Sequence, residues 1–438
     1  MQNLENNQKQ SNMQKVALTA LAGTSIEWYD FFLYGAAAAL IFPTAFFGEM
    51  PPTTALLLSL LTFAAGFIAR PIGGIIFGHF GDKVGRKKTL ISALMLMGIS
   101  STLIGLLPTY AMIGVAAPIL LTSLRFAQGL AIGGQWGGAM LLVTESAPSN
   151  QRGYYGAFAQ AGAPIGVILA NLALIITSAL VSEEFFNTWG WRIPFLASAV
   201  LILISMYIQL NLEDTDAFKA LVDNKGIQSD ENIKKSPVIE AIKKYPKRIF
   251  LAAGAFLSVQ VTFYILIAFM LAYGVTSANM ARDDMLAAVL IASAIMVPIQ
   301  FVFSSYSDRY GRKGIFMLGA VLTGIWAFAI FPLVDTGNFY LIVLAITGGL
   351  VFLAMMYGPQ AAFFTELFST EVRYSGATLG YQFGAIVGGA FAPTIAVKLW
   401  TEFDIIWVSA YIALASLLTL ISVMALTETY QSDLNNTD

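Results

Sequence analysis

The chain has 438 residues, 57% hydrophobic and 11% charged, with a mean hydropathy of +0.71 and a formal net charge of −2. So few charges cannot clothe a water-soluble core of this size, and a near-zero net charge leaves no basic surface for nucleic acid. The absence of cysteine and a single histidine, His79, exclude disulfides, thiol catalysis and a Cys- or His-ligated metal site, so no cofactor or metal is expected.

A helix needs about 20 apolar residues to cross a bilayer. Residues 1–15 are polar and read as a tail, and the apolar run after them is too long and too charged for a cleaved signal peptide. The first bundle, 16–210, contains spans near 16–43, 55–79, 88–108, 112–142, 154–180 and 192–210. Residues 211–248 form a polar linker. The second bundle, 249–426, contains spans near 249–274, 284–305, 314–333, 338–362, 375–398 and 403–426, and 427–438 form a second tail. Twelve spans in two sets of six predict an all-α membrane protein. Nineteen of the 24 Lys and Arg fall in the tails, the linker and alternate loops, whereas the opposite loops hold Arg192, Arg282 and Lys398. Cationic loops stay cytoplasmic, so both termini and the linker are expected there.

The halves repeat one another. Gly81-Asp82-Lys-Val-Gly85-Arg86-Lys87 returns as Ser307-Asp308-Arg-Tyr-Gly311-Arg312-Lys313, offset by 226 residues. Glu145 and Arg152 return as Glu366 and Arg373, offset by 221. Gln160-x-Gly162-x-x-x-Gly166 returns as Gln382-x-Gly384-x-x-x-Gly388, offset by 222. The glycines alone read most simply as close helix packing. The repeat as a whole predicts two similar halves around a central site, as in secondary transporters.

Ionisable residues inside a span are costly and mark function. Glu27 and Asp30 lie about 18 and 22 Å along span one at the helical rise, Arg70 lies in span two and Arg125 in span four, all near the midplane. Glu27, Asp30 and Tyr34 share a helix face. A carboxylate beside an arginine can exchange a proton as its surroundings change, which makes Asp30, Glu27 and Arg125 proton-coupling candidates. The same residues also suit a static buried salt bridge. Arg70 suits a substrate carboxylate. Polar and aromatic residues on apolar helices suggest further cavity contacts: Tyr34, Gln128, Gln135, Gln160, Gln260, Tyr264, Tyr357, Gln360, Tyr381 and Gln382, with Trp28 and Asn171. Asp82 is placed to cap a neighbouring helix, whose N-terminal N–H groups favour an anion, or to pair with an arginine across the interface. His79 beside that loop reads as interfacial.

The repeated Gly-x-x-x-Asp-[Arg/Lys]-x-Gly-Arg-[Arg/Lys] loop resembles the signature of the major facilitator superfamily. Within it the chain resembles the metabolite:proton symporters, carriers of α-ketoglutarate, shikimate, citrate and proline/betaine. The matching stretches are Ile26-Glu27-Trp28-Tyr29-Asp30-Phe31, Arg70-Pro71-Ile72-Gly73-Gly74, Arg125-x-x-Gln128-Gly129, Gly133-Gly134-Gln135-Trp136-Gly137, Trp189-Gly190-Trp191-Arg192-Ile193-Pro194 and Glu366-Leu-Phe-x-Thr-Glu-Val-Arg373. The resemblance implies two pseudo-symmetric six-helix bundles, alternating access and a monomer in the bacterial inner membrane. It also implies a gating network of Asp82, Arg86, Lys87, Glu145, Arg152, Asp308, Arg312, Glu366 and Arg373. The expected activity is proton symport of a small organic acid, with a zwitterionic osmolyte as the alternative substrate. Gln135 departs from the Glu usual in its motif and cannot titrate, which keeps an uncoupled facilitator or exchanger open. A membrane enzyme would need the His, Cys or carboxylate cluster that is missing from the sequence.

Overall fold

Inside a bilayer the backbone has no water to bond, so apolar runs of this length must close their hydrogen bonds within each segment, as helices. The structure is a computed structural model. It describes residues 2–84, 86–133, 140, 143–145, 147–213, 237–369 and 372–430, without the side chains of 2–12, 78–84, 86–90, 208–213, 237–240 and 374.

Twelve helices form the framework: α1 Gln2–Leu40, α2 Pro52–Val84, α3 Arg86–Leu106, α4 Ala116–Gly133, α5 Arg152–Leu180 and α6 Ile193–Glu213, then α7 Pro246–Thr276, α8 Arg282–Tyr310, α9 Arg312–Val334, α10 Phe339–Glu366, α11 running from Arg373–Ala385 through Ile386–Ala390 to Ala392–Glu402, and α12 Ile406–Ala425. Among the described residues there is no strand. Ten of these helices are long and apolar enough to cross a membrane by themselves. The other two are α1, interrupted by Glu27 and Asp30, and α3, which contributes the shorter apolar stretch Ile91–Leu106.

Two boundaries differ from expectation. The segment read as a polar tail is helical from Gln2, because Gln, Lys, Glu and Met extend a helix readily once the span supplies its nucleus. The linker begins and ends in helix, with α6 running to Glu213 and a short helix over Pro237–Lys244. Residues 214–236 and 431–438 lie outside the described residues.

The packing repeats between the halves. Helix α1 packs on α5 as α7 does on α11, α2 on α4 as α8 does on α10, and α3 on α6 as α9 does on α12. The bundles meet through a second symmetric pairing, α5 with α8 and α2 with α11, with α1 against α7 between them. This is the two-bundle fold that the repeat predicts. The repeated glycines serve close packing: a Cβ at Gly162 or Gly166 would fall 2.2 Å from Thr24 Oγ1 or 2.5 Å from Trp28 Cβ of α1. In the second half a Cβ at Gly384 would meet the α7 backbone at 2.8 Å. Helix α7 is enclosed along nearly its whole length, whereas α9 and α12 expose Leu318, Ile325, Leu414 and Ile421 on their outer faces, the apolar surface that lipid covers.

A π turn, Ile265–Phe269, interrupts α7 directly after Tyr264, and another, Ile386–Ala390, interrupts α11. They meet where a Cβ at Gly389 would lie 2.9 Å from the Tyr264 ring. Such turns collect at functional sites.

Candidate functional site

Two arginines are buried at the centre of the bundle interface. Arg70 is 1% exposed and Arg125 0%. Among the described residues neither has a salt-bridge partner; each is wrapped in aromatic rings. The guanidinium of Arg70 lies 4.4 Å from the Phe31 ring, 4.5 Å from Phe67 and 5.3 Å from Trp28. That of Arg125 lies 4.1 Å from Phe31, 4.3 Å from Tyr34 and 4.7 Å from Phe63. Ring faces attract cations but accept few hydrogen bonds, and Nε and Nη2 of both arginines have no hydrogen-bond partner among the described residues. Arg125 Nη1 donates to Gln128 Oε1 at 3.1 Å, and Gln128 donates onward to Ser101 at 2.7 Å.

Asp30 faces α6. Its Oδ1 accepts a hydrogen bond from Ser198, Ser101 and Arg125 lie alongside, and its buried Oδ2 has no hydrogen-bond partner among the described residues. Glu27, one turn away, is half-buried, so the face they share does not give them one environment.

A constricted cavity of about 10 Å³, room for one water, separates the bundles beside Arg70. Trp28 lines it from α1, Gln260 and Tyr264 from α7, Tyr357 from α10 and Tyr381 from α11. Arg70 lies within electrostatic reach of all three tyrosines. Gln160 of α5 donates to the Tyr357 carbonyl at 3.3 Å and to Gln360 Oε1 at 3.4 Å, bridging the bundles. Gln360 Nε2 and Gln382 Oε1 are buried without hydrogen-bond partners among the described residues. Tyr34 and Gln128 do not line this cavity: they pack about Arg125, the Tyr34 hydroxyl 2.7 Å from Thr62 Oγ1. Asn171 donates to the Leu286 carbonyl of α8. Gln135 lies outside the described residues.

The second-half charged loop forms a bonded network at one face of the protein. Asp308, at the end of α8, accepts hydrogen bonds from Gly153 N and Tyr154 N at 2.8 Å each, capping the first turn of α5 in the other bundle. That is the role expected of its counterpart Asp82. The side chains of Asp82, Arg86, Lys87 and His79 lie outside the described residues. Arg312 pairs with Asp308 at 2.6 Å and Glu366 at 3.1 Å. Arg152 reaches Glu366 at 3.9 Å, and Arg373 reaches Glu145 at 3.4 Å, both across the interface. Gly153 is required by this closeness, since a Cβ there would sit 2.6 Å from Arg312 Nη1 and 2.8 Å from the Ser304 carbonyl.

Two members of this network were not anticipated. Glu428, just past α12, accepts from the backbone N–H groups of Arg312 and Lys313 at 2.9 Å each, and Thr429 donates to Glu366 at 2.8 Å. Although partial burial pushes the Glu428 carboxyl upward, these backbone bonds and those from Tyr430 and Thr429 hold it below the ordinary range. The only sequence signal was an acid following the last span, which also fits a solvated tail. At the opposite face Ser178 of α5 donates to Asp283 of α8 at 2.8 Å, and Arg282 lies 4.0 Å over Phe186 while donating to Asn187 at 3.3 Å. The bundles are therefore tied at both faces around the cavity.

The profile of the Major Facilitator Superfamily matches residues 20–380. The chain is 40% identical to the inner membrane metabolite transport protein YhjE of Escherichia coli (strain K12), over 97% of this chain and 96% of that one. It is 37% identical to the shikimate transporter of the same strain over 92% of each. It is 33% identical to that strain's proline/betaine transporter, covering 91% of this chain and 80% of the other. The crystal structure of a D-xylose–proton symporter superposes with a TM-score of 0.75 over 96% of this chain and 99% of its own, at 16% identity, which establishes the fold alone. The chain belongs to the major facilitator superfamily and is a multi-pass membrane transporter of metabolites, not an enzyme.

Proposed function

We propose that the chain imports a small organic acid together with a proton across a bacterial cytoplasmic membrane, as a monomer, by alternating access of the bundles 16–210 and 249–426. The observation that carries this reading is the pair of buried guanidinium groups, Arg70 and Arg125, each with N–H groups that no acceptor among the described residues satisfies. A buried cation without hydrogen-bond acceptors is costly, and a carboxylate is the ligand that matches a guanidinium fork. Arg70, with Tyr264, Tyr357, Tyr381 and Gln260 about the cavity, is assigned to the substrate carboxylate, and Gln160, Gln360 and Gln382 to its oxygens. Asp30 is assigned the proton, with Arg125 as the group that responds to it. Glu27 is secondary in this scheme, and Tyr34 and Gln128 act by holding Arg125.

The termini and linker are placed in the cytoplasm, so the face built by Asp308, Arg312, Glu366, Arg152, Arg373 and Glu145 is the inner gate, whose bonds break when that side opens. Asp82, Arg86 and Lys87 complete it by symmetry. A zwitterionic osmolyte is the second reading, favoured by one observation: Trp28, Phe32 and Phe263 line the cavity and would receive a quaternary ammonium.

The deciding experiment is protein-dependent acidification of proteoliposomes carrying an internal pH dye, with 2-oxoglutarate, citrate, shikimate, quinate, proline and betaine offered in turn. Acidification with an acid and not with betaine supports the first reading, and the reverse supports the second. Saturable uptake without acidification would make the chain a facilitator or exchanger and turn attention to Gln135. Accumulation driven by a pH gradient should vanish in Asp30→Asn; full retention would remove Asp30 from the coupling role.

A further inference from the structure

Among the described residues Phe31 is the one side chain whose ring contacts both buried guanidinium groups, with centroid distances of 4.4 Å to Arg70 and 4.1 Å to Arg125. It is 1% exposed, and Phe63 and Phe67 press on it with centroids 5.0 and 5.3 Å away. Two like charges are thereby held apart by a hydrocarbon ring. Water in that place would screen each charge from the other, whereas a ring leaves their interaction at the strength of a low-dielectric interior. Arg125 accordingly feels Arg70 on one side and Asp30 on the other.

The remaining charged and titratable groups about Asp30 are few. Helix α1 contributes Tyr29, Tyr34 and half-buried Glu27, α2 contributes Arg70, α4 contributes Arg125, and α7 contributes Tyr264, while α3 and α6 present the hydroxyls of Ser101 and Ser198. Helix α5 buries the neutral amides Gln160 and Asn171 and the hydroxyl of Thr177, while its buried Arg152 and Tyr155 lie at the charged-face end, Arg152 paired with Glu366.

We propose that Phe31 is a positioning residue for coupling: it fixes the separation of Arg70 and Arg125 and keeps water from between them, so that an organic anion at Arg70 and a proton at Asp30 favour one another's binding. The sign follows from the charges. Arg125 beside Asp30 favours its ionised form, and Arg70 adds to that positive field from beyond the Phe31 ring. An anion at Arg70 cancels the added charge and makes protonation easier. Reciprocally, a proton on Asp30 removes a negative charge and strengthens the pull on the anion. Anion and proton then travel together. The inference rests on the proposed reading of Arg70 and Asp30.

The test measures equilibrium binding of shikimate and 2-oxoglutarate to the full chain from mildly acidic to mildly alkaline pH. Wild type should bind the better probe about tenfold or more tightly on the acidic side, within the range of coupled sites, and Asp30→Asn should show no such dependence. Phe31→Leu leaves a gap between two charged groups that water would enter. It should still bind the probe but lose most of the pH dependence, while Phe31→Tyr should keep it. Should Phe31→Leu not fold, Phe31→Met carries the same test. Wild-type pH dependence in the Leu or Met variant would overturn the role of Phe31 while leaving the reading of Arg70 and Asp30 intact. An unchanged pH dependence in Asp30→Asn, or no binding of either probe to wild type, would overturn that reading and the inference with it.

Discussion

Replacing Asp308 by Asn tests the tie between the bundles at the charged face. The Asp308 carboxylate accepts two backbone N–H bonds from the first turn of α5 and pairs with Arg312 at 2.6 Å, with its side chain only 4% exposed. A hydrogen bond to a charged group contributes about 1.5–3 kcal/mol, and a charge at a helix N-terminus a further 0.3–1 kcal/mol or so. Asparagine keeps one acceptor oxygen, so about 2–4 kcal/mol of closed-state stability should be lost. At about 1.4 kcal/mol per tenfold, the closed-to-open balance at that face should move by roughly 30- to 1000-fold. The cysteine-free chain allows spin labels to be introduced at Ser149, just before α5, and at Gly314 on α9, both exposed and in opposite bundles. Wild type should give one short distance, and Asp308→Asn should add or switch to a longer one. An identical distance distribution in folded Asp308→Asn would refute the claim that these bonds hold the face closed.

Three further outcomes follow from the same geometry. Arg70→Gln should weaken substrate binding by about tenfold or more, the loss of one charge-assisted bond, with unchanged binding in a saturation assay counting against Arg70 as the carboxylate site. Gly153→Ala should part α5 from α8, because its Cβ would meet Arg312 and the Ser304 carbonyl; a cost of about 1–3 kcal/mol should appear as the same label-distance shift as Asp308→Asn. Glu428 is held below the usual carboxylate range, so its contact with α9 is fully present at neutral pH and is released only as pH falls through that depressed value. Protection of the Arg312 and Lys313 amides, taken as exchange relative to the intrinsic rate at each pH, should therefore be high at neutral pH and fall only in acid, and at neutral pH it should be lower in Glu428→Gln than in wild type.

The spans were legible because a bilayer demands long apolar helices, and the two-bundle packing because the repeat reports it. In the second half Asp308, Arg312 and Glu366, which the resemblance grouped, meet at helix ends that the repeat brings together. Glu428 escaped notice because its partners are backbone groups 116 and 115 positions away, and its place after the last span has no counterpart in the first half. Asp30 was visible as a buried acid, but its partner Ser198 was not, since one serine in an apolar helix carries no signal of what it faces. Arg70 and Arg125 stood out by their depth within spans two and four. Only the structure places Phe31 between them and sends Tyr34 and Gln128 to the Arg125 side. Neither π turn leaves a trace in hydropathy, because the extra residue in each is itself apolar or glycine.

Those π turns bear on how such a carrier can diverge. Each holds one residue beyond α-helical register, so the part of α7 after Phe269 is turned by about 100° relative to an unbroken helix. Deleting a single residue there would restore a regular α-helix while leaving both Met270–Thr276 and the Gln260–Tyr264 side facing as they do. Loss of one codon in the middle of a span, ordinarily ruinous because it turns every later side chain by about 100°, is absorbed at these two places within a single turn, so that the halves of the helix keep their faces to the cavity.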